Sequence, residues 1–213
     1  SLNLLHNLLS ENRHDVGQLI SASAIGVYPS SREKMHTEDE LEVDDSFLGE
    51  VVQKWESAAD AFRELGLKVA KIRIGLVLSS DGGALPQMMK PIKCHLGTPL
   101  GDGKQWQSWI HIDDLARIFL YAVENDLEGV FNGVAPNPVT NEELTKQIAN
   151  TMGKKVWLPN IPSFALKLVM GDMAAVVLGS QLVGSKKIEE AGFSFHHVDL
   201  EETLEDLWHK KAG

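Results

Sequence analysis

One segment, residues 101–124, constrains the fold more than any other because three kinds of local structure follow one another in it. Gly101 and Gly103 permit backbone angles that other residues avoid, so the chain can turn sharply there or approach a ligand closely. A polar and aromatic run follows, and it is suited to an extended strand. Apolar residues then recur at helical spacing, and Asp113 or Asp114 is a good cap for the start of that helix. A turn, a strand and a one-sided helix in this order predict an α/β unit.

In an extended conformation, alternate side chains of the run after the turn share one face. One face would carry Gln105, Gln107, Trp109, His111 and Asp113, and the other Trp106, Ser108, Ile110 and Ile112. The first face is polar and aromatic, so it is the candidate ligand side. His111 could be a proton donor there, or a hydrogen-bonded structural residue at a strand end.

The rest of the chain alternates strand and helix patterns, which indicates a sheet with helices on its faces. The predicted elements are a helix over Leu2–Leu9, a strand over Gln18–Ser23, an exposed loop over Tyr28–Asp45, a helix from Ser46 to Gly66, a strand over Leu67–Leu78, a helix up to Lys93, a strand over Gly129–Val134 and a helix capped by Thr140. Beyond Lys155 the pattern becomes mainly helical. We therefore expect a sheet domain over 1–155 and a small helical lobe on the substrate side over 156–213.

Composition excludes several classes of protein. The 213 residues are 43% hydrophobic, which is enough for a sizeable core. A net charge of −10 without a basic run argues against a nucleic-acid partner. Cys94 is the single cysteine, so an intramolecular disulfide is impossible, and the His196–His197 pair lacks a third ligand at a suitable spacing, so we expect no metal site. With no secretory pattern and no long apolar run, we expect a cytoplasmic protein outside the membrane, and the oligomeric state stays open.

The segment Trp109–Leu115 resembles the late signature of the extended short-chain dehydrogenase/reductases, the superfamily of the nucleotide-sugar epimerases. Several other segments are similar, in the same order, to its epimerase family branch sometimes labelled cell-division-inhibitor-like. These are Arg73–Leu78, Asp81–Leu85, Asn132–Asn141, Pro162–Asp172 and Ala191–Phe195. The resemblance implies the C-terminal part of a Rossmann-like doubly wound parallel sheet, with NADP or NAD as cofactor.

The cofactor's pyrophosphate needs a glycine-rich turn between a strand and a helix, and this sequence contains none. In the branch that the chain resembles, roughly the first third would precede Ser1. The resemblance therefore implies that the phosphate site, and the residue that separates NAD from NADP, belong to a part absent from these 213 residues.

The resemblance also implies roles for two hydroxyls. Ser23 matches the serine that orients the substrate carbonyl, and Tyr28 could substitute for the catalytic tyrosine. A strand-end hydroxyl and a surface tyrosine are the structural alternatives. The superfamily's Tyr-x-x-x-Lys motif is missing, because Phe47 or Leu48 stands in the tyrosine region and Val51 or Val52 in the lysine region.

For the ligands, the resemblance implies a cofactor site on Ser21, Ala22, Ile74, Gly75, Leu76 and Val77, and substrate contacts from Gln105, Trp109 and His111. Nucleotide-sugar enzymes usually carry an arginine where this chain has Gln107, so a diphosphate sugar is disfavoured. We expect an NAD(P)-dependent epimerase or reductase acting on a small carbonyl or hydroxyl substrate. The alternative is a cofactor-binding or regulatory protein that kept the fold and lost catalysis.

Overall fold

The computed structural model describes residues 2–171 and 174–212, so Asp172, the last residue of a family-like segment, lies outside the described residues. The strands are β1 (Gln18–Ala24), β2 (Ser31–His36), β3 (Lys68–Ile74), β4 (Leu76–Leu78), β5 (Trp106–Gln107), β6 (Trp109–His111), β7 (Gly129–Gly133), β8 (Val139–Thr140) and β9 (Gln181–Val183). The helices are α1 (Leu2–Glu11), α2 (Phe47–Asp60), α3 (Ala84–Lys93), α4 (Ile112–Glu124), α5 (Asn141–Thr151), α6 (Ser163–Met170), α7 (Ala174–Leu178), α8 (Lys186–Glu190) and α9 (Leu200–Ala212).

A parallel sheet in the order β1-β3-β7 forms the centre of the fold. Its register places Ala24 opposite Ile74, and Ile74 opposite Gly133. The three strands therefore end level with one another at one edge. In parallel α/β sheets ligands bind outside the carboxyl ends of the strands, so this edge is where a site is expected. The predicted α/β class with a parallel sheet is confirmed.

The predicted strand Leu67–Leu78 is two strands, because the chain breaks at Gly75. A Cβ at this position would lie 2.2 Å from the carbonyl oxygen of Ser108 and 2.7 Å from Cγ1 of Val134. Only glycine allows the two segments to approach so closely. Beyond the break, β4 leaves the central sheet and pairs with β6.

A second sheet, in the order β2-β9-β5-β8, was not predicted. The interpretation of Tyr28–Asp45 as an exposed loop is wrong, since β2 lies within it and Tyr28 is only 1% exposed. The partner of β2 is β9, far along the chain. A Ser-rich and acidic local sequence gives no sign of such a distant pairing.

The single strand predicted after the glycine turn is also wrong, because β5 and β6 belong to different sheets. Ser108 joins them, and its hydroxyl donates to the Gln181 carbonyl at 2.8 Å and accepts from the Val183 amide at 2.9 Å. Alternate residues on either side of Ser108 therefore share no common face. The helix cap is His111, whose Nδ1 accepts from the Asp113 amide at 3.0 Å, rather than either aspartate.

Two helix predictions are confirmed, although the helix predicted from Ser46 to Gly66 is an α-helix only as far as Asp60 and a 3-10 turn beyond it. Ser46 caps α2, and Gly66 closes the 3-10 turn that follows it with a left-handed φ of +81°. Thr140 caps α5 through a reciprocal capping box with Glu143. These signals are local, which is why the sequence alone reveals them.

The C-terminal segment shares its core with the rest of the chain. Leu200, Leu204 and Leu207 of α9 pack in the same cluster as Leu78 and Leu144. The division into 1–155 and 156–213 stays a prediction, and apolar contacts cross it. In the described ranges, no helix combines the length and apolar character that a membrane span requires.

Candidate functional site

A cleft of about 870 Å³ opens at the carboxyl ends of β1 and β3. Its floor consists of small and apolar residues that end or directly follow these strands: Ala24, Ile25, Gly26, Ile74, Gly75 and Leu76. The volume lies within the range typical of sites for small molecules and cofactors. Because the floor carries no charge, it suits a flat, weakly polar group.

One wall of the cleft is α2. Ser46 accepts from the Gly49 amide at 3.3 Å and starts the helix, which then turns Leu48, Val51, Val52 and Trp55 toward the cleft. Leu48 and Val52 are four residues apart and share this face. Phe47 is 78% exposed and does not line the cleft. The positions that a Tyr-x-x-x-Lys pair would need are therefore occupied by Leu48 and Val52, which carry no titratable group.

A network of buried polar side chains lies close to the strand ends, and we call Ser23, Glu56, Arg73, Tyr28 and Asn132 the buried network. Ser23 donates to Oε1 of Glu56 at 2.7 Å. Arg73 donates hydrogen bonds to both oxygens of the same carboxylate, at 2.8 and 2.9 Å. Ser23, Glu56 and Arg73 are each at most 8% exposed. Two charges this deeply buried need such a bidentate arrangement, because desolvation would otherwise outweigh their attraction.

Tyr28 joins the buried network through its hydroxyl. That hydroxyl accepts from Arg73 at 3.0 Å and donates to Oδ1 of Asn132 at 2.8 Å, while the ring stacks on His36. Burial raises the pKa of Tyr28, and the nearby Arg73 guanidinium only partly offsets this rise. A tyrosine that acts as a base in a reductase needs a lowered pKa. The environment of Tyr28 raises the pKa instead, which does not favour that role.

Electrostatics hold the ion pair of the buried network in its charged form. Burial by itself would raise the pKa of Glu56, but hydrogen bonds from Arg73 and Ser23 overcome it and lower the pKa. Burial by itself would lower the pKa of Arg73, but hydrogen bonding to Glu56 overcomes this effect and raises the pKa of Arg73. The Ser23 hydroxyl is thus committed to a carboxylate that stays ionised.

A second wall of the cleft includes β5 and the residue before it. Gln105 is 1% exposed, and its Nε2 donates to the carbonyls of Leu100 at 3.0 Å and Val177 at 3.3 Å. These two acceptors fix the orientation of the amide, so Oε1 must be an acceptor, and it has no partner among the described residues. Trp106 and Gln107 line the same wall. The indole N–H of Trp106 already donates to the Arg32 carbonyl at 3.0 Å. The Gln107 amide and Oε1 of Gln105 can therefore orient a ligand, but they supply no charge.

An ion pair lies on the lining of the cleft. Arg32 of β2 donates to both carboxylate oxygens of Asp102, in the glycine turn, at 2.7 and 3.0 Å. This hydrogen bonding lowers the pKa of Asp102. Both side chains are about half exposed, so the pair tethers β2 to the turn without a large gain in stability.

His111 lies outside the cleft, in a cluster with His197 and Asp206. The two imidazole rings stack with centroids 3.7 Å apart, and Nε2 of His111 lies 3.5 Å from Oδ2 of Asp206. These three side chains could hold a metal ion by distance alone. However, Nδ1 accepts from a backbone amide, so the neutral ring carries its proton on Nε2 and that atom is a donor rather than a metal ligand. Burial and the neighbouring His197 lower the pKa of His111.

Comparison with known proteins establishes the family. Residues 1–133 match the NAD dependent epimerase/dehydratase family, and residues 161–207 match a domain of unknown function, DUF1731. An epimerase family protein of Staphylococcus saprophyticus is 40% identical, with 96% of this chain and 69% of that protein covered. The chain belongs to the NAD dependent epimerase/dehydratase family.

Other members of the epimerase family agree with this assignment. A chloroplastic member from Arabidopsis thaliana is 40% identical over 95% of this chain and 57% of its own length. The crystal structure of human epimerase family protein SDR39U1 with NADPH superposes with a TM-score of 0.89 at 30% identity, covering 98% of this chain and 70% of that one. A nucleoside-diphosphate sugar epimerase from Corynebacterium glutamicum gives 0.77 at 34% identity, covering 98% and 41%. The Rossmann-like fold is therefore confirmed.

Within this epimerase-family chain, the residues predicted for the site fall into two groups. Ile74, Gly75, Leu76 and Gln105 line the cleft. Ser21, Ala22, Ser23, Tyr28, Val77, Trp109 and His111 do not. Trp109 is fully buried in the core, where its indole donates to the Asn137 carbonyl at 2.8 Å. The roles assigned to both groups stay predictions, and for the second group the geometry offers no direct contact with a ligand in the cleft.

Several cleft residues were missed by the sequence analysis. Arg32, Asp102 and Lys167 line the cleft, and so does Ala24 at the end of β1. Ala24 could have been found, because it alternates with Ser23 along a strand. Arg32 and Lys167 reach the cleft only through distant packing, of which their local sequence carries no sign.

Proposed function

We propose that this chain is an NAD(P)-dependent oxidoreductase or epimerase that acts on a small carbonyl or hydroxyl compound bound in the cleft. The observation that carries the proposal is the position of the cleft: it lies at the carboxyl edge of the parallel sheet, in a member of the NAD dependent epimerase/dehydratase family. The human relative was crystallised with NADPH, which supports a nicotinamide cofactor for this chain as well.

The residues of the cleft floor fit the nicotinamide end of such a cofactor. Ala24 and Gly26 leave room above β1, while Ile74 and Leu76 offer an apolar surface for a planar ring. A bound nicotinamide would supply or accept the hydride. In the described residues, no strand-to-helix turn carries the G-x-G-x-x-G pattern of a pyrophosphate site, and the turn between β4 and α3 has only Gly82 and Gly83. The proposal therefore covers the nicotinamide end and leaves the pyrophosphate contacts aside.

The chain's own residues would orient the substrate rather than ionise it. None of the described residues that line the cleft is a tyrosine or a histidine. The Gln107 amide can donate to a substrate oxygen, and Oε1 of Gln105 can accept from a substrate hydroxyl, because the Gln105 Nε2 is already used on two backbone carbonyls. Leu48 and Val52 keep the neighbouring wall apolar. The proton that accompanies the hydride would then be exchanged with water or with a charged side chain on the cleft wall.

Titration of the full-length protein with NADPH and NADH, combined with a screen of carbonyl substrates, tests this proposal. We expect saturable binding of at least one cofactor and oxidation of the reduced form by a subset of carbonyl compounds. The absence of cofactor binding would overturn the proposal. Tight binding without turnover of any compound would replace catalysis by cofactor binding as the function.

A further inference from the structure

Some charged side chains of the cleft lining are already paired or hydrogen-bonded within the protein, and others are not. Arg32 and Asp102 neutralise one another through two hydrogen bonds of 2.7 and 3.0 Å. Asp44 accepts from the amide and the hydroxyl of Ser46 at 3.2 and 2.8 Å, so its carboxylate is part of the cap of α2. Favourable interaction with the positive end of the helix adds to this commitment.

Lys167 is the remaining charged residue of the cleft lining. It is exposed, and within residues 2–171 and 174–212 its ammonium has neither an ion-pair partner nor a hydrogen-bond partner. Ser163, one helical turn earlier on α6, also lines the cleft, and its hydroxyl is likewise without a partner in those ranges. Residues at this spacing lie side by side on a helix, so the two groups can bind one ligand together.

Much of the remaining lining of the same cleft is apolar or aromatic. Trp55 and Trp106 line it, together with Leu76 and Val176. A fully hydrated ion gains nothing from such walls, whereas a molecule with an apolar or planar body does. The site therefore combines one available cation with a surface for a hydrophobic group.

We propose that Lys167 and Ser163 form a binding subsite for a single anionic group, a carboxylate or a phosphate, on a substrate with an aromatic or otherwise apolar body. This inference deepens the proposed function, on which it rests, by naming the substrate class of the same cleft. A nucleoside diphosphate needs two neighbouring anionic groups bound, and here Gln107 is neutral and Arg32 is already paired. A single anionic group matches Lys167, the one cation of the described lining that has no ion-pair partner in residues 2–171 and 174–212.

Binding of three probes with the same ring system tests the subsite. The probes are 2-naphthoate, 2-naphthyl phosphate and the neutral 2-naphthalenemethanol, titrated by calorimetry into the full-length protein with and without NADPH. We expect at least one anion to bind about tenfold more tightly than the alcohol, as a hydrogen bond to a charged group implies. The carboxylate and phosphate arms identify which anion the subsite prefers.

Lys167→Ala removes the subsite, and Lys155→Ala is its matched control. Both lysines are exposed, neither has an ion-pair partner in the described part of the chain, and only Lys167 lines the cleft. Both variants remove one positive charge, so a long-range effect on an anion would be the same. We expect Lys167→Ala to abolish the preference for the anion, Lys167→Arg to retain most of it, and Lys155→Ala to leave it unchanged.

Equal affinity for the three probes in the wild type overturns the subsite, as does an anion preference that survives in Lys167→Ala. All three lysine variants should keep the unfolding midpoint of the wild type, which shows that any loss is not due to misfolding. The binding test of the subsite and the activity test of the proposed function can fail independently, because probe affinity requires no turnover. A protein that prefers anions but never oxidises NADPH retains the subsite and loses the oxidoreductase proposal.

Discussion

The buried network and the cleft meet at the end of β1, and they differ in the chemistry of neighbouring residues. Ser23 points into the network, where it donates to Glu56 at 2.7 Å. Ala24, the next residue, lines the cleft and offers only a methyl group. Successive strand residues face opposite sides, so one position along the chain separates a charged interior from the apolar lining of the cleft. The match of Ser23 to a family serine therefore does not reveal which side of the strand its hydroxyl faces.

The same contrast extends to the neighbouring elements. Glu56 and Arg73 use their charges on each other, while Leu48 and Val52 on the same helix as Glu56 give the cleft no titratable group. The network stabilises the fold, whereas in the proposed function the cleft holds and orients the ligands. Variants that affect one region and spare the other can test this separation.

The largest expected effect comes from breaking the buried ion pair. Glu56→Gln leaves the Arg73 guanidinium buried without its carboxylate, so the free energy of unfolding should fall by about 3–5 kcal/mol. Urea unfolding followed by circular dichroism measures the change. Glu50→Gln is the control, because Glu50 pairs with Lys54 at 3.6 Å on the exposed side of the same helix. The control should lose less than about 1 kcal/mol, and equal losses in the two variants would contradict the contrast.

The pH dependence of stability should report the same carboxylate. The pKa of Glu56 is lower in the folded protein than in the unfolded chain, so its contribution is present above the unfolded value of about 4.5. The contribution is lost as the pH falls through the folded pKa. The wild type should thus lose stability below about pH 4.5 more steeply than Glu56→Gln. Identical acid limbs in urea unfolding would show that Glu56 is not held ionised.

Tyr28→Phe should have a moderate effect that distinguishes a structural from a catalytic hydroxyl. The variant removes the partner of Arg73 and of Asn132, so it should cost about 1–3 kcal/mol of stability. Affinity for NADPH and turnover of the folded protein should stay within a few-fold of the wild type. A loss of turnover of a hundredfold or more, with affinity unchanged, would restore the catalytic prediction for Tyr28.

Asp102→Asn should affect only the cleft, and by the smallest amount. The change releases the guanidinium of Arg32, which is half exposed, so stability should alter by no more than about 1 kcal/mol. A second cation then becomes available to ligands, and 2-naphthyl phosphate should bind a few-fold more tightly in calorimetry. Unchanged or weaker binding would show that Arg32 does not face the ligand. Asp102→Glu, which retains the charge, is the control.

The extent to which the sequence predicts this molecule depends on the range of the interaction. The parallel sheet, the caps of α2 and α5 and the cleft position of Ile74, Gly75, Leu76 and Gln105 follow from local periodicity or from family resemblance. The pairing of β2 with β9 and the break at Ser108 do not, since both depend on partners more than 70 residues away. The same limit explains why His111 was placed in the cleft and Lys167 was not.

The central claim is that the two sides of the β1 strand end have separate roles, and the dissociation constant for NADPH in two neighbouring variants tests it most directly. Ala24→Leu adds bulk to the cleft floor, whereas Ser23→Ala removes one hydrogen bond from the buried network. Ala24→Leu should weaken NADPH binding about tenfold or more at unchanged fold, which corresponds to about 1.4 kcal/mol. Ser23→Ala should keep the wild-type affinity and lose about 1–3 kcal/mol of stability. The reverse pattern, with affinity lost in Ser23→Ala and kept in Ala24→Leu, would contradict the account.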